Sequence, residues 1–253
     1  MLERHHHPND IFELRMARPP VNALNPALLG ALRDAIEAAP SEGARGLIIS
    51  GGNGIFSAGL DVPYLLTLDR SELEQAWRRF FEVCSTLAKS PIPVVAAIGG
   101  HSPAGGAVIS LFCDYRIMAE GSFRIGLNEV QVGLVVPECI QYALRRQVGT
   151  RRAERLLVSG AMIEAADALR LGVVDELAAP DQVVDKAVHW LQNLLALPRG
   201  AMLGTRQLAR ADLIAAVEDP ARLDLGRFID AWFGNETQGV LRAMVQRLKE
   251  KRG

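Results

Sequence analysis

Two short apolar segments of this chain each run directly into a glycine-rich loop, and this arrangement restricts the fold more than any other feature. The segment Gly46-Leu47-Ile48-Ile49-Ser50 has the pattern of a buried strand and is followed by the turn Gly51-Gly52-Asn53-Gly54. The segment Val94-Val95-Ala96-Ala97-Ile98 has the same pattern and is followed by the glycine-rich residues 99–106. Helical patterns precede both segments, and strands that alternate with helices predict an α/β fold with largely parallel strands.

Periodicity and capping residues predict where the helices lie. Apolar residues recur at helical spacing from Pro26 to Ala38, with proline in the first turn. The sequence Ser71-Glu72-Leu73-Glu74 has the form of a capping box and predicts a helix that ends at about Lys89. The other elements predicted in this part of the chain are a helix at 107–112 and strands at 115–119, 123–125 and 173–177.

The pattern becomes almost entirely helical after about residue 195. Residues 1–195 are therefore predicted to form the core, and residues 196–253 a C-terminal helical region. The aromatic residues Phe228, Trp232 and Phe233 form an apolar face of this region. This face is most simply core or a subunit interface, and a second interpretation is that it covers a ligand.

The composition indicates a globular protein that binds a small ligand. The chain has 253 residues, 49% of them hydrophobic, and 28 Lys and Arg residues nearly balance 29 Asp and Glu residues. A dedicated nucleic-acid-binding protein is normally strongly basic, so a small neutral or anionic ligand is expected instead.

The three cysteines and the N-terminal sequence bear on the cellular compartment. Cys84, Cys113 and Cys139 are odd in number and lie among apolar residues, which indicates buried free thiols in a reducing compartment. The sequence has no signal-peptide pattern and no apolar stretch long enough to span a membrane. A cytoplasmic location is therefore expected.

A run of three histidines, His5-His6-His7, stands near the N-terminus. Such a run can bind a metal ion, but no carboxylate or cysteine accompanies it at the spacing of metal ligands. We therefore interpret these residues as part of a frayed polar tail and predict no metal site.

The loops that follow the two strands are candidates for a ligand site. In a parallel sheet, the loops at 56–61 and 103–106 both emerge at the carboxyl ends of strands, where ligands usually bind. Gly105 and Gly106 also open a helix, so their N–H groups and the helix dipole would stabilise a developing negative charge on a ligand oxygen. Glycine pairs at such positions more often serve turns or packing, and neither loop has the spacing of a phosphate-binding loop.

Further motifs, taken together with these loops, carry a family resemblance. In chain order the motifs are Arg18-Pro19-Pro20-Val21-Asn22-Ala23-Leu24, Phe56-Ser57-Ala58-Gly59-Leu60-Asp61, Pro103-Ala104-Gly105-Gly106, Cys113-Asp114-Tyr115-Arg116 and Gly126-Leu127-Asn128-Glu129. In this order and spacing they resemble the crotonase (enoyl-CoA hydratase/isomerase) superfamily, and within it most of all the 3,2-trans-enoyl-CoA isomerases, also called dodecenoyl-CoA isomerases. The resemblance covers nearly the whole chain.

The resemblance implies a fold, a substrate and a binding site. The fold would be the crotonase spiral of ββα units with a C-terminal helical region, assembled as a homotrimer or a dimer of trimers. The substrate would be an acyl-CoA thioester whose carbonyl oxygen accepts hydrogen bonds from the N–H groups of Leu60 and Gly105. Coenzyme A is part of this substrate, so no separate cofactor is implied, nor is a nucleic-acid or membrane partner. The residues implied in substrate binding are Ser57, Ala58, Gly59, Asp61 and Val62.

Within this superfamily the number of acidic residues distinguishes two reactions. Hydratases position water with two glutamates, whereas moving a double bond from position 3 to position 2 requires one base that takes a proton from C2 and returns it to C4. The first hydratase glutamate would stand at Val108, three residues after Gly105, and no residue from 106 to 112 is acidic. The second matches Glu129, which is therefore predicted to be the catalytic base, with Asn128 as a substrate contact.

These residues together imply a 3-enoyl-CoA isomerase of fatty-acid β-oxidation, and the alternative is a hydratase or another acyl-CoA enzyme of the superfamily. Glu138, nine residues after Glu129, keeps a further alternative open. As a second proton carrier it would favour a dienoyl-CoA isomerase or a weak hydratase. We prefer to interpret Glu138 as the acid of a helix N-terminus after Pro137, where it interacts favourably with the helix dipole.

Two other groups of residues suggest different functions. An RNA-binding protein on the same scaffold would use the arginine cluster Arg145, Arg146, Arg151, Arg152 and Arg155, but no aromatic residues alternate with these arginines to stack bases. A thioester hydrolase would use His101 with Ser102 or Ser57, but the chain has no Gly-x-Ser-x-Gly motif. The simpler interpretations are solvated helix faces or subunit contacts for the arginines and a structural hydrogen bond for His101.

Overall fold

The computed structural model describes residues 1–52 and 54–250, so Asn53 of the predicted turn and residues 251–253 of the predicted C-terminal region lie outside the described residues. The strands are β1 (Leu2–His7), β2 (Ile11–Met16), β3 (Gly46–Ser50), β4 (Gly54–Ile55), β5 (Val94–Ile98), β6 (Gly100–Pro103), β7 (Tyr115–Ala119), β8 (Arg124–Gly126), β9 (Ile163–Glu164) and β10 (Glu176–Ala178). The helices are α1 (Pro26–Ala38), α2 (Val62–Leu65), α3 (Arg70–Lys89), α4 (Gly105–Leu111), α5 (Glu138–Val148), α6 (Thr150–Ser159), α7 (Ala165–Leu171), α8 (Val183–Leu195), α9 (Arg199–Ala209), α10 (Ala211–Glu218), α11 (Pro220–Leu223), α12 (Leu225–Trp232) and α13 (Asn235–Glu250). A short 3₁₀ helix, Glu129–Val132, lies between β8 and α5.

The strands form two sheets in which most neighbours are parallel. The six-stranded sheet has the order β1-β2-β3-β5-β7-β10, with β1 antiparallel to β2 and the other pairs parallel. The four-stranded sheet has the order β4-β6-β8-β9, with β9 antiparallel to β8. The chain steps from the large sheet to the small one three times, from β3 to β4, from β5 to β6 and from β7 to β8, and a helix follows each step. The prediction of an α/β fold built from ββα units is confirmed.

Four elements begin and end at the residues that the sequence pattern predicts: α1, β3, β5 and β7. Every residue of β3 and β5 is buried, which explains why their sequences are apolar apart from Ser50. Helix α1 begins after Asn25, whose side-chain oxygen accepts a hydrogen bond from the N–H group of Leu28 at 2.9 Å. Strong apolar patterns with clear end signals were thus sufficient to predict these elements.

The prediction that the three histidines belong to a frayed tail is wrong. His5, His6 and His7 lie in strand β1, which pairs along its whole length with β2 in the register Leu2 to Met16 and His7 to Ile11. Most side chains of β1 are exposed, because the strand forms the edge of the sheet and is held by backbone hydrogen bonds. A strand of this kind requires no apolar residues, so the sequence pattern did not reveal it.

Two further boundaries differ from the prediction because hydrogen bonds of side-chain or backbone groups set them at other residues. The cap of α3 is Asp69 and not Ser71: the Asp69 carboxylate accepts from the N–H of Glu72 at 2.9 Å, and the Glu72 carboxylate accepts from the N–H of Asp69 at 3.0 Å. The last strand, β10, begins at Glu176 and not at Val173. The N–H of Val173 donates to the carbonyl of Ala168 at 2.8 Å and so closes the end of α7.

The C-terminal helices pack on the core of the same chain. Asp114, at the end of the loop before β7, accepts hydrogen bonds from Arg206 of α9 at 2.8 Å and from Arg210 at 3.1 Å. The rings of Phe228 and Trp232 in α12 are buried. The proposed boundary at residues 195 and 196 falls at the end of α8, and the division into two regions stays a prediction.

Two sequence predictions concern the interior and the membrane. Cys84, Cys113 and Cys139 are buried and not paired with each other, as predicted for free thiols. Across residues 1–52 and 54–250, the helices lack the combination of length and apolar character that crossing a membrane requires.

Candidate active site

A cavity of about 520 Å³ lies between the two predicted ligand loops, the 3₁₀ helix and the C-terminal helices. Its walls include seven of the nine residues predicted for the site: Ala58, Leu60, Asp61, Val62, Gly105, Asn128 and Glu129. The other two, Ser57 and Gly59, lie behind the wall. The first loop follows β4 and the second follows β6, so the two loops meet because β4 and β6 are parallel neighbours in the small sheet.

Ser57 and Gly59 shape the first loop. Ser57 is fully buried, and its Oγ donates to the carbonyl of Asn22 at 2.8 Å and accepts from the N–H of Gly59 at 3.1 Å. Gly59 has a φ of +81°, and a Cβ atom built there would lie 3.1 Å from the backbone nitrogen of Gly105. Only glycine combines this conformation with so close an approach between the two loops.

The backbone N–H groups of Leu60 and Gly105 are available to a ligand. Neither donates a hydrogen bond to another group in the described part of the chain, although Leu24 bonds to the residues on both sides of Leu60. Gly105 is the first residue of α4, where helix N–H groups have no partner within the helix. The preceding residue, Ala104, has a φ of +46°, an unusual backbone conformation for a residue with a side chain. Both residues line the cavity, where an N–H group without a partner in the chain can donate a hydrogen bond to a ligand.

Asp61 lines the cavity as one half of an ion pair. Its Oδ2 accepts from Nη2 of Arg18 at 2.7 Å, and Arg18 also donates to the carbonyl of Ala23 at 2.8 Å. The other oxygen of Asp61 accepts from the N–H of Tyr64 at 3.3 Å and caps the short helix α2. Because Asp61 is paired and serves as a cap, its carboxylate is not available as a base, whereas its position fixes the loop that carries Leu60.

Glu129 presents a carboxylate of a different kind. It is the first residue of the 3₁₀ helix, and its Oε2 is buried without a hydrogen-bond partner in the described chain. Burial raises the pKa of the Glu129 carboxyl from 4.5 to about 7. A carboxyl group with this pKa is about half ionised at neutral pH and can both accept and return a proton.

Asn128 stands beside this carboxylate at the start of the 3₁₀ helix. Asparagine at such a position usually caps the helix, but here its side chain makes no capping hydrogen bond. Its Oδ1 atom is buried without a partner in the described residues. The amide is therefore free to contact a ligand in the cavity.

Neither Val108 nor Glu138 places a second acidic side chain in the cavity beside Glu129. Val108 lies in α4 and is fully buried, so the position of a first hydratase glutamate is apolar. Glu138 does not line the cavity: it is the first residue of α5, pairs with Arg145 and lies 3.4 Å from Nη1 of Arg222. This location agrees with the interpretation of Glu138 as the acid of a helix N-terminus.

The far end of the cavity is apolar and aromatic. It is formed by Trp77 and Phe80 of α3, Phe228 and Trp232 of α12, and Leu241 and Met244 of α13. Phe228 packs on Trp77 with ring centroids 4.1 Å apart, whereas Phe233 points outward and is 42% exposed. The sequence suggested a ligand cover for α12 but did not reveal the part played by α3 and α13, because their apolar residues have the spacing of any buried helix face.

The hydrolase and RNA interpretations find no support in the geometry. His101 and Ser102 point to opposite sides of β6, and Nδ1 of His101 accepts from the N–H of Arg124 at 3.1 Å. In the arginine cluster, Arg145, Arg146 and Arg151 pair with carboxylates of this chain. Pairing of this kind is typical of solvated helix faces.

The two sheets linked by ββα steps, the C-terminal helices and the cavity between them define an α/β enzyme of the crotonase fold. The chain belongs to the enoyl-CoA hydratase/isomerase family, whose model matches residues 6–231. It is 31% identical over 243 residues to human mitochondrial enoyl-CoA delta isomerase 1, an alignment that covers 95% of this chain and 80% of the human protein. It is 36% identical over 214 residues to a Mycobacterium avium protein named probable enoyl-CoA hydratase EchA17, with 80% of this chain and 82% of that protein covered.

A solved structure gives the same family relation. The crystal structure of human mitochondrial delta3-delta2-enoyl-CoA isomerase superimposes on this chain with a TM-score of 0.94 and 30% sequence identity, covering 100% of this chain and 99% of the other. Isomerase and hydratase names therefore both occur among relatives of similar identity, and these names do not distinguish the two reactions.

Proposed function

We propose that this protein is an enoyl-CoA isomerase that converts 3-enoyl-CoA to trans-2-enoyl-CoA in fatty-acid β-oxidation. The observation that carries the proposal is that Glu129 is the one carboxylate on the cavity wall, within the described residues, that no cation of the chain pairs. One base is what the transposition of a double bond requires. The human relative at 31% identity and the structure with a TM-score of 0.94 both carry isomerase names, which supports the same choice.

The proposed reaction begins with the thioester carbonyl of the substrate between the N–H groups of Leu60 and Gly105. These two donors stabilise the negative charge that develops on the oxygen when C2 loses a proton. Ionised Glu129 takes this proton and returns it to C4 of the resulting dienolate. The reaction is balanced in protons because the carboxylate is regenerated, and the equation contains no water, metal ion or redox cofactor.

The apolar end of the cavity and the first loop account for the two ends of the substrate in this proposal. The acyl chain lies against the aromatic residues of α3 and α12, where burial of apolar surface favours binding. The CoA portion lies against the loop of Ala58, Asp61 and Val62. Ser57 and Gly59 contribute through the shape of that loop and not by contact. Assembly as a homotrimer or a dimer of trimers and a cytoplasmic location stay predictions.

Hydration of 2-enoyl-CoA is the second candidate, because the mycobacterial relative at 36% identity is named a probable hydratase. Against it stands buried Val108, at the place of the first hydratase glutamate. The two reactions are separated by assaying 3-enoyl-CoA and 2-enoyl-CoA thioesters side by side over several acyl chain lengths. The proposal expects fast isomerisation and very slow hydration, and fast hydration of crotonyl-CoA would refute it.

A further inference from the structure

The N-terminal hairpin of β1 and β2 carries a group of imidazole and carboxylate side chains that the proposed reaction does not use. Side chains alternate along a strand, so His5 and His7 of β1 lie on one face of the sheet and His6 on the other. The ring of His6 packs on Phe12 with centroids 4.1 Å apart. On the opposite face, His5 stands directly across from Glu13 of β2.

Glu13 lies between the two histidines of this face. Its Oε2 is 2.9 Å from Nε2 of His7, and its Oε1 accepts a short hydrogen bond from Oγ of Ser50 in β3. Glu13 is only 6% exposed, so packing and the Ser50 hydrogen bond fix the direction of its carboxylate. A fourth donor, Oε2 of Glu3, lies 3.7 Å from Nε2 of His5 and 3.9 Å from Nε of Arg15.

We propose that this face of the hairpin binds a divalent transition-metal ion of the zinc class through His5, His7 and Glu13, with Glu3 as the fourth ligand. Imidazole nitrogen and carboxylate oxygen are the donors that Zn²⁺ takes in four-coordinate sites. Residues directly opposite in an antiparallel pair have Cβ atoms about 4.5–5.5 Å apart, which places the imidazole of His5 within reach of the Glu13 carboxylate.

The donors of this site stand as two pairs, His5 with Glu3 and His7 with Glu13. In the described part of the chain, no three His, Cys, Asp or Glu side chains are already placed to hold a metal ion, so binding requires His5 to turn from Glu3 towards Glu13. The side chain of His5 is 46% exposed and rotates without disturbing the core. Ser50 holds the second oxygen of Glu13 as the outer hydrogen bond that orients a metal-binding carboxylate.

A bound ion would join the edge strand β1 to β2 through side chains as well as through the backbone. Because the unfolded chain does not hold these donors together, metal binding would stabilise the folded protein. The histidine run would then link the edge strand to the rest of the large sheet through a metal ion. The sequence did not indicate this role, because Glu3 and Glu13 do not stand at the usual spacing of metal ligands from the histidines.

The test is a calorimetric titration of the full-length protein with Zn²⁺ at a pH of about 7.5, after treatment with a chelator. The wild type should bind one ion per chain with a dissociation constant in the micromolar range or below. The variants His5→Ala and His7→Ala should each bind at least about tenfold more weakly. The matched control is His6→Ala, which removes the same side chain from the opposite face and should change the affinity by less than about twofold.

A second readout excludes an effect of misfolding. At a zinc concentration about 100-fold above the dissociation constant, Tm should rise by roughly 5 °C or more for the wild type and for His6→Ala, but not for His5→Ala. Each rise is measured from the Tm of the same protein in chelator, because His6→Ala also removes the packing of His6 on Phe12. Equal losses of affinity in the three histidine variants would show binding to a flexible run and overturn the proposal. Absence of saturable one-to-one binding to the wild type would overturn it as well.

Discussion

Replacing Glu129 by glutamine should make the stability of this protein less dependent on pH. The pKa of the carboxyl rises from 4.5 to about 7 on burial. Between these two values the folded protein holds a proton that the unfolded chain has released. The free energy of unfolding of the wild type therefore falls as the pH rises from about 4.5 to 7, and this loss persists above pH 7, where both states are ionised.

The size of this effect follows from the two pKa values. One pKa unit corresponds to about 1.4 kcal/mol, so the difference between 4.5 and about 7 amounts to roughly 3 kcal/mol. Glutamine has the same shape but no charge at any pH. Relative to the wild type, Glu129→Gln should therefore become more stable by about 3 kcal/mol, measured as free energy of unfolding, between pH 4.5 and pH 8.

Urea unfolding at several pH values between 4.5 and 8 measures this difference directly. The matched control is Glu138→Gln, which removes a carboxylate that pairs with Arg145 outside the cavity. The control should keep the pH dependence that Glu129 confers on the wild type. If the difference in free energy of unfolding between Glu129→Gln and the wild type stayed constant across this pH range, burial would not raise the pKa of the Glu129 carboxyl. That result would refute the reasoning.

Three other predictions concern the site and its support. The kcat/KM for 3-enoyl-CoA should fall about tenfold per pH unit below about 7, because only ionised Glu129 accepts the proton, and a profile that is flat from pH 5 to 8 would contradict this. Gly59→Ala should lower kcat by roughly 10²–10³-fold, since its Cβ would lie 3.1 Å from the nitrogen of Gly105, whereas Gly30→Ala, in open space, should leave kcat unchanged. Asp114→Asn should lower the free energy of unfolding by about 3–5 kcal/mol in urea titrations, since it leaves the guanidinium of Arg210 buried without its charge partner; a loss below about 1 kcal/mol would argue against this anchoring role.

The sequence was most informative where one interaction dominates the local structure. The buried strands β3 and β5 were predicted to the residue because both of their faces are covered and their sequences are apolar apart from Ser50. Edge strand β1 was missed because its side chains are mostly exposed, and the identity of an exposed side chain does not indicate the backbone pairing with β2. The cap of α3 was misplaced by two residues because Ser71 and Asp69 are both suitable capping residues.

The candidate site shows the same division between local and tertiary information. The two glycine loops were recognised because a close backbone approach requires particular residues, as at Gly59. The aromatic wall could not be predicted, since Trp77 and Phe228 are 151 positions apart in the chain and meet only when α12 packs on α3. The raised pKa of Glu129 also arises from burial by distant elements and has no signature in the motif that contains it.

The central claim is that one carboxylate, Glu129, moves the proton between C2 and C4 of the substrate. The most direct measurement is the initial rate of conversion of a 3-enoyl-CoA by Glu129→Gln, compared with the wild type at saturating substrate and a pH of about 8. The account predicts a rate at least about 10²-fold lower, which is the contribution typical of a general base. A rate within about twofold of the wild type, in a variant that is shown to be folded, would contradict it.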